Sequence, residues 1–483
     1  MITRSKRLSA AAIGCAAMAV AIGAPTAGAS FKPPYNTKCA GSNISAVGST
    51  FQNTLQNVWA ANWVAASCSG GLAPTITYNA AGIPNGSGAG LAAMGATDAP
   101  GSARSTTFAF AGTDDAPTAL QLTNANEGPN VVTGADADDA ALRTIPVASG
   151  AITMIVNYPD HCILPTGFTY TKTSGPAGNT RLALSRGRME RLWRGGTGNI
   201  KWSDIVTGIN DDNSVDGDPN TNACANVVVK RVVRKDVSGS SLTLKRWLDV
   251  QRPATNWVNG FANTAWPNDP GDGSTLIVPA GTGGGQVAAT VNANDGSVGY
   301  VDLATARGAG FDLDPGTGDT TYWLPVQDQN SSFQDPQYFH YAQITNAAYQ
   351  AFYGTPVKKG ANCRSTLFSG VPDANANGKD GDDTFASWQD VNGVASGSNG
   401  GYPICLLTYD LAWDDAFDAF GGPLPPTTPR PIEAAQRTVR DYLVYGTSLS
   451  GATQANTNDY AQLPEDIRSQ ISSPAAAALS FNK

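Results

Sequence analysis

Four short segments, far apart in the chain, put small residues where a strand is expected to give way to a helix. They are Gly48-Ser49-Thr50-Phe51, Gly86-Ser87-Gly88-Ala89-Gly90, Phe110-Ala111-Gly112-Thr113-Asp114-Asp115-Ala116-Pro117 and Arg234-Lys235-Asp236-Val237-Ser238-Gly239-Ser240. At such a turn, free backbone N–H groups and the positive end of a helix dipole attract anions. A single Gly-Ser turn before a helix is ordinarily only a cap. Four small-residue turns in one chain, in their order, raise the odds that they bind a ligand.

The elements that must position these turns read as α/β. Apolar, β-branched runs at Ile44–Gly48, Thr75–Tyr78, Ile152–Val156, Val227–Val233 and Ser297–Val301 predict strands. The spacing Phe51, Leu55, Val58, Trp59, Trp63 predicts a helix face, and further helices are expected over Leu242–Val250 and Ala434–Tyr445. Strands that alternate with helices imply α/β architecture. Long Gly/Asn/Asp-rich stretches, Gly208–Asn222, Gly308–Thr320 and Pro372–Gly401, read as surface loops or insertions.

Composition narrows the function classes. The formal net charge is −8 with 14% charged residues, and the N-terminal segment carries three of the positive charges, Arg4, Lys6 and Arg7. That balance argues against nucleic acid or an anionic membrane surface as partner. It does not argue against a small anion, which is held by local dipoles. The basic start, the apolar stretch Leu8–Ile22 and the small-residue site Ala27-Gly28-Ala29 predict a signal peptide over residues 1–29. Cys15 raises lipid anchoring, but Ala12-Ile13-Gly14-Cys15 lacks the usual Leu, and soluble export to a periplasmic or extracellular space is the reading preferred. The six remaining cysteines, Cys39, Cys68, Cys162, Cys224, Cys363 and Cys405, then predict disulfides, with sequential pairing expected among many possible patterns.

Metal chemistry has little support. There are two histidines, His161 and His340, and no CxxC pair. Asp373-x-Asn375-x-Asn377-Gly378 starts like a calcium loop but has Thr384 where a bidentate Glu belongs; Asp212-x-Ser214-x-Asp216-Gly217 ends on Ala223. Both read as solvated turns, and no metal or cofactor is expected.

The four turns, in their order, resemble the phosphate-binding protein of the bacterial high-affinity phosphate ABC transporter. The resemblance runs from Ile44 to Ile471 and includes Leu182–Ile205, Gly281–Val301 and Tyr460-Ala461-Gln462-Leu463-Pro464. It implies a two-lobed, periplasmic-binding-protein-like α/β fold with crossing strands near Ile145–Val147 and Ser297–Val301. Lobe one would comprise residues 30–144 and 301–483, and lobe two residues 145–300.

The resemblance also implies a ligand shell for inorganic phosphate. Thr50 and Phe51 would offer backbone N–H groups, with the Thr50 hydroxyl added. Ser87 would donate its hydroxyl and N–H, and Arg234 a charge-assisted pair. Ser238, Gly239 and Ser240 would cap the anion at a helix N-terminus, with Ser240 standing where the family more often has Thr. Asp236 would hold Arg234 in place. Asp115, followed by Ala116-Pro117, matches the family's acidic ligand, with Asp114 as the alternative. A buried carboxylate beside an anion is costly unless it accepts a hydrogen bond. Phosphate near neutral pH retains a proton to give it; sulfate does not.

The implied function is capture of phosphate by a monomeric exported protein and its delivery to a membrane permease, without catalysis. An exported phosphatase would need a metal cluster or an activated nucleophile, and a scaffold using the same fold is the third reading.

Overall fold

A computed structural model of the chain describes residues 41–67, 74–127, 141–171, 180–212, 222–269, 275–311, 319–338, 360–363, 366–372, 382–394, 400–419 and 431–480. The expected signal peptide, Cys15, Cys39 and Cys68 lie outside the described residues, as do Ser214–Gly217 and Asp373–Gly378 of the two calcium-like loops.

Among the described residues, one nine-stranded sheet organises the fold. Its strands are β1 (Ile44–Gly48), β2 (Ile76–Tyr78), β3 (Phe110–Thr113), β4 (Leu142–Asn157), β5 (Lys230–Val232), β6 (Leu276–Ile277), β7 (Ser297–Asp302), β8 (Thr321–Trp323) and β9 (Cys405–Trp413). Their spatial order is β6-β5-β7-β4-β9-β3-β1-β2, with β8 added to β4. The architecture is α/β, as the alternation of patterns implies.

β4 is the spine. All sixteen of its residues are buried. Its first half pairs antiparallel with β9 from Leu142 to Ala151, and its second half with β7 from Ile152 to Asn157. The expected crossing at Ile145–Val147 and the expected strand Ile152–Val156 are thus one continuous element. The β4–β9 register shifts between Thr408 and Tyr409, where Thr408 faces Ala148 and Tyr409 faces Pro146. Pro146 has no N–H to give the ladder, and a bulge absorbs the missing bond.

On either side of this spine the strands run parallel: β1 with β2 and β3, and β5 with β6 and β7. Parallel strands require crossover helices, and ligands gather outside the strands' C-terminal ends. β1 leads through a short 3-10 turn, Thr50–Gln52, into α1 (Asn53–Ser67). β2 leads to α2 (Ser87–Ala93), β5 to α3 (Gly239–Gln251) and β6 to α4 (Gly284–Asn292). Leu55, Trp59 and Trp63 form the buried stripe of α1, packed beside α5 (Pro431–Thr447).

One expectation is refined. The apolar run Val227–Val233 joins the ladder only over Lys230–Val232, while Val228 bridges instead to Lys201. β9 carries no clean apolar alternation, because Thr408 and Asp410 are buried within it. Cys162–Cys224 and Cys363–Cys405 form disulfides with Cα–Cα separations of 5.8 and 5.9 Å, as sequential pairing predicts. Among the described residues, no helix is long and apolar enough to cross a membrane.

Candidate functional site

The four small-residue turns converge where the two parallel halves of the sheet face each other. From the first half come Ser49 and Thr50, Ser87 at the start of α2, and Asp114 just after β3. From the second come Arg234 and Asp236 after β5, Ser238–Ser240 at the start of α3, and Gly283 and Gly284 before and at the start of α4.

Asp114 is the centre of the first group. Its Oδ2 accepts from Ser49 Oγ at 2.5 Å and from Ser87 Oγ at 3.3 Å, and its Oδ1 accepts from Thr408 Oγ1 at 2.7 Å. The Asp114 backbone N–H donates to Ser87 Oγ at 3.1 Å, which leaves the Ser87 hydrogen facing acceptors. Burial pushes the Asp114 carboxyl above the ordinary range. The bonds from Ser49, Thr408 and Ser87 and the positive charge of Arg234 oppose that rise.

Asp115 points elsewhere. Its carboxyl is 3.5 Å from Asn263 Nδ2 and lines a narrow cavity with Thr243, Arg246, Trp388 and Tyr409. Burial raises it to about 6, against the pull of Arg246. The structure therefore gathers Ser49, Ser87 and Thr408 around Asp114, the alternative acid of the sequence reading, rather than around Asp115.

In the second group, Arg234 and Asp236 form a bidentate pair: Nε to Oδ1 at 2.8 Å, and Nη2 to Oδ2. Burial alone disfavours the guanidinium charge, but the Asp236 bonds outweigh it and hold Arg234 above its ordinary value. Both donors go to one side, so the fork is locked in place, with Nη1 outside the pair. The Tyr300 hydroxyl accepts from the Arg234 N–H at 3.2 Å. Ser238 is fully buried at the N-cap of α3, yet its hydroxyl caps no helix N–H and has no partner among the described residues. A buried, unsatisfied hydroxyl at a helix N-terminus is suited to meet a ligand oxygen. Ser240 lies buried one turn-position further on.

The two groups touch. A side chain at Gly239 would overlap the carbonyl of Asp114, and one at Gly86 would overlap the Asp236 carboxylate. The Gly284 N–H donates to Thr50 Oγ1 at 3.3 Å, and within the second group the Gly283 N–H donates to Asp236 Oδ1 at 3.1 Å. Thr282 Oγ1 donates to Asn85 Oδ1 at 3.0 Å. Farther out, Arg246 of α3 donates to the carbonyls of Val391, at 3.0 Å, and of Gln389.

Phe51 differs from expectation in detail. Its N–H donates to Ser49 Oγ at 3.1 Å, which caps the 3-10 turn, and its ring packs on Gly150 and edge-on against Tyr460. Sequence reasoning did not assign Ser49, Thr408, Tyr300 or Gly283. Ser49 carries a local signal, being a cap residue within the first turn. Thr408 and Tyr300 carry none, since strand pairing alone brings them here. Among the described residues, no group of three or more His, Cys, Asp or Glu side chains is placed to hold a metal ion.

No protein-family model matches the chain, and no curated protein does. Solved structures do. A phosphate-binding protein from Stenotrophomonas maltophilia aligns over 91% of this chain and 96% of its own, at 18% identity and a TM-score of 0.55. A high-affinity periplasmic phosphate-binding protein, PfluDING, solved with phosphate bound, aligns over the same shares at 18% identity and a TM-score of 0.50. A further DING protein aligns over 91% of this chain and 98% of its own at 16% identity and a TM-score of 0.50. The chain therefore has the two-lobed α/β fold of these phosphate-binding proteins.

Proposed function

We propose that this protein binds inorganic phosphate between its two lobes and, as an exported solute-binding protein, hands it to the membrane permease of a phosphate ABC transporter. One observation carries the reading: a buried carboxyl, Asp114, is gathered with the turns that open α2 and α3 and lies close enough to the locked Arg234 to feel its charge. Such a carboxyl is tolerable beside an anion only if the anion donates a proton to it.

In this reading Thr50, Ser87 and Asp114 belong to lobe one, and Arg234, Ser238, Gly239 and Ser240 to lobe two. Asp114 takes the role that sequence matching gave to Asp115. Asp236 fixes the guanidinium, and Ser238 supplies the hydroxyl that lacks a protein partner among the described residues. Phosphate favours the closed arrangement because only there do donors from both lobes reach it. Two disulfides favour an oxidising, exported environment.

Isothermal titration of the purified protein with phosphate and with sulfate tests the reading. Tight phosphate binding with no sulfate response is expected. Equal responses to the two anions, or none to phosphate, defeat it.

A further inference from the structure

Behind Asp114, on the side away from the anion-binding turns, a chain of hydrogen bonds runs into the core. Thr408 Oγ1 donates to Asp114 Oδ1 at 2.7 Å. Gln52 Nε2 donates to Thr408 Oγ1 at 2.6 Å and to the Tyr409 carbonyl at 2.8 Å. Gln56 Nε2 donates to Gln52 Oε1 at 2.7 Å and lies 3.1 Å from both carboxyl oxygens of Asp410. Tyr442 Oη closes the chain by donating to Gln56 Oε1 at 2.6 Å. Gln52, Gln56, Thr408 and Asp410 are all 0% exposed.

The direction of this chain is constrained. A backbone carbonyl can only accept, so Gln52 must turn its amide nitrogen toward Tyr409. The bulge at Thr408/Tyr409 puts the Thr408 hydroxyl within reach of that same nitrogen. With its oxygen taken by the Gln52 N–H, Thr408 has one hydrogen to give. Asp114 Oδ1 lies at 2.7 Å and the Thr113 carbonyl at 3.3 Å, so the carboxyl receives it.

We propose that Gln52 is a specificity-determining residue of the anion site: acting through Thr408, it keeps Asp114 a hydrogen-bond acceptor, so that the site selects an oxyanion that still carries a proton. The inference rests on the phosphate-binding reading above. Gln52 is a positioning residue, because it touches Asp114 only through Thr408. Burial drives Asp114 toward its neutral form, and the Thr408 bond is one of the contacts that oppose this. Without the Gln52 amide, Thr408 is free to turn to the Thr113 carbonyl. Asp114 then takes a proton more readily, and a neutral carboxyl can donate to a fully deprotonated oxyanion such as sulfate.

The test compares the ratio of phosphate to sulfate affinity, by titration calorimetry, in the unmodified protein and in Gln52→Met, Thr408→Val and Thr408→Ser. Losing the Thr408 bond to the Asp114 carboxylate predicts a fall in the ratio of about tenfold or more in Thr408→Val, and Gln52→Met, which frees that hydroxyl, lowers the ratio in the same direction. Thr408→Ser, which keeps the hydroxyl, must keep the ratio. Thr408→Val has nearly the shape of the native residue and carries the test if Gln52→Met melts too low to titrate. An unchanged ratio in a folded Gln52→Met or Thr408→Val overturns the inference. Carbon-13 titration of the Asp114 carboxyl in the anion-free protein, assigned with Asp114→Asn, gives a readout that does not depend on the ligand. Gln52→Met is expected to raise its pKa, and no rise overturns the inference. Failure of the unmodified protein to bind phosphate instead defeats the binding reading while this titration still decides the role of Gln52.

Discussion

Gly239, the first residue of α3, lies against the carbonyl of Asp114 with no space for a methyl group between them. This contact joins the start of α3 to the turn after β3, and it is available only to glycine. Gly239→Ala is therefore expected to weaken phosphate binding while the separate lobes still fold. Overpacking of this kind costs about 1–3 kcal/mol, or roughly tenfold to a hundredfold in affinity. Calorimetric Kd values with thermal melts of the phosphate-free protein check it: a lowered affinity with a preserved melt is the expected pair.

Asp114 and Asp115 should separate cleanly. Asp114→Asn turns one acceptor oxygen of the carboxyl into an NH2 donor, so if Asp114 takes the proton of the anion, discrimination between phosphate and sulfate collapses. A hydrogen bond to a charged group is worth about 1.5–3 kcal/mol, so phosphate affinity should fall by roughly tenfold to a hundredfold. Asp115→Asn alters a carboxyl that faces Asn263 and Arg246 and should leave the phosphate-to-sulfate ratio in place. Parallel titrations of the two variants decide; a larger effect at Asp115 would restore it as the acidic ligand.

Arg246 links α3 to the backbone of Gln389 and Val391, far along the chain. In the proposed two-lobed closure α3 and the segment 389–391 belong to different lobes, so opening would break both bonds. Arg246→Ala should therefore speed phosphate release, with most of the affinity change in koff. Stopped-flow release measurements test this, and an unchanged koff would show that the contact plays no part in holding the site shut.

Reduction should matter unevenly. Cys162–Cys224 closes a loop across a sequence separation of 62 residues and ties the segment after β4 to the turn before β5. Replacing both cysteines by Ser should cost about 2–5 kcal/mol. Chemical unfolding of the double variant under oxidising conditions gives the number, and a loss well under this range would mean that the surrounding packing suffices.

The buried acids Asp302 and Asp410 and the half-buried Asp115 set a pH dependence. Burial raises Asp115 and Asp302 to about 6 and Asp410 to about 7. For a carboxyl raised by folding, the native state keeps its proton while the unfolded chain has lost it. Its contribution to stability is therefore complete at low pH and declines as pH rises from near 4 through the folded value. A carboxyl whose pKa folding raises by one costs the native state about 1.4 kcal/mol once both states are ionised. Asp410→Asn should flatten the fall in melting temperature between about pH 4 and 7, and a curve as steep as that of the unmodified protein would contradict the assignment.

Much of the site was legible because its chemistry is local. The Gly-Ser turns at Ser87 and at Ser238–Ser240 announce themselves as strand-to-helix junctions, and Arg234-x-Asp236 places a base and its holder two residues apart. Asp114 and Asp115 were harder to separate. Adjacent residues on an extended chain point to opposite faces, and local pattern does not say which face will meet Ser49 and Ser87. Only the register of β3 between β1 and β9 settles that.

Sequence by itself determined the α/β alternation, a cysteine count that favours disulfides and the small-residue turns that open α2 and α3; it offered sequential cysteine pairing as one pattern among many, and two such pairs are found in the structure. Tertiary structure alone decided which acid is gathered with those turns. It also brought Thr408, Gln52 and Gln56 in behind it. Thr408 lies more than 350 positions along the chain from Gln52 and Gln56 and shares no pattern with them. Their contact exists because β9 lies beside β3 in the sheet and so carries Thr408 to the turn that follows β1.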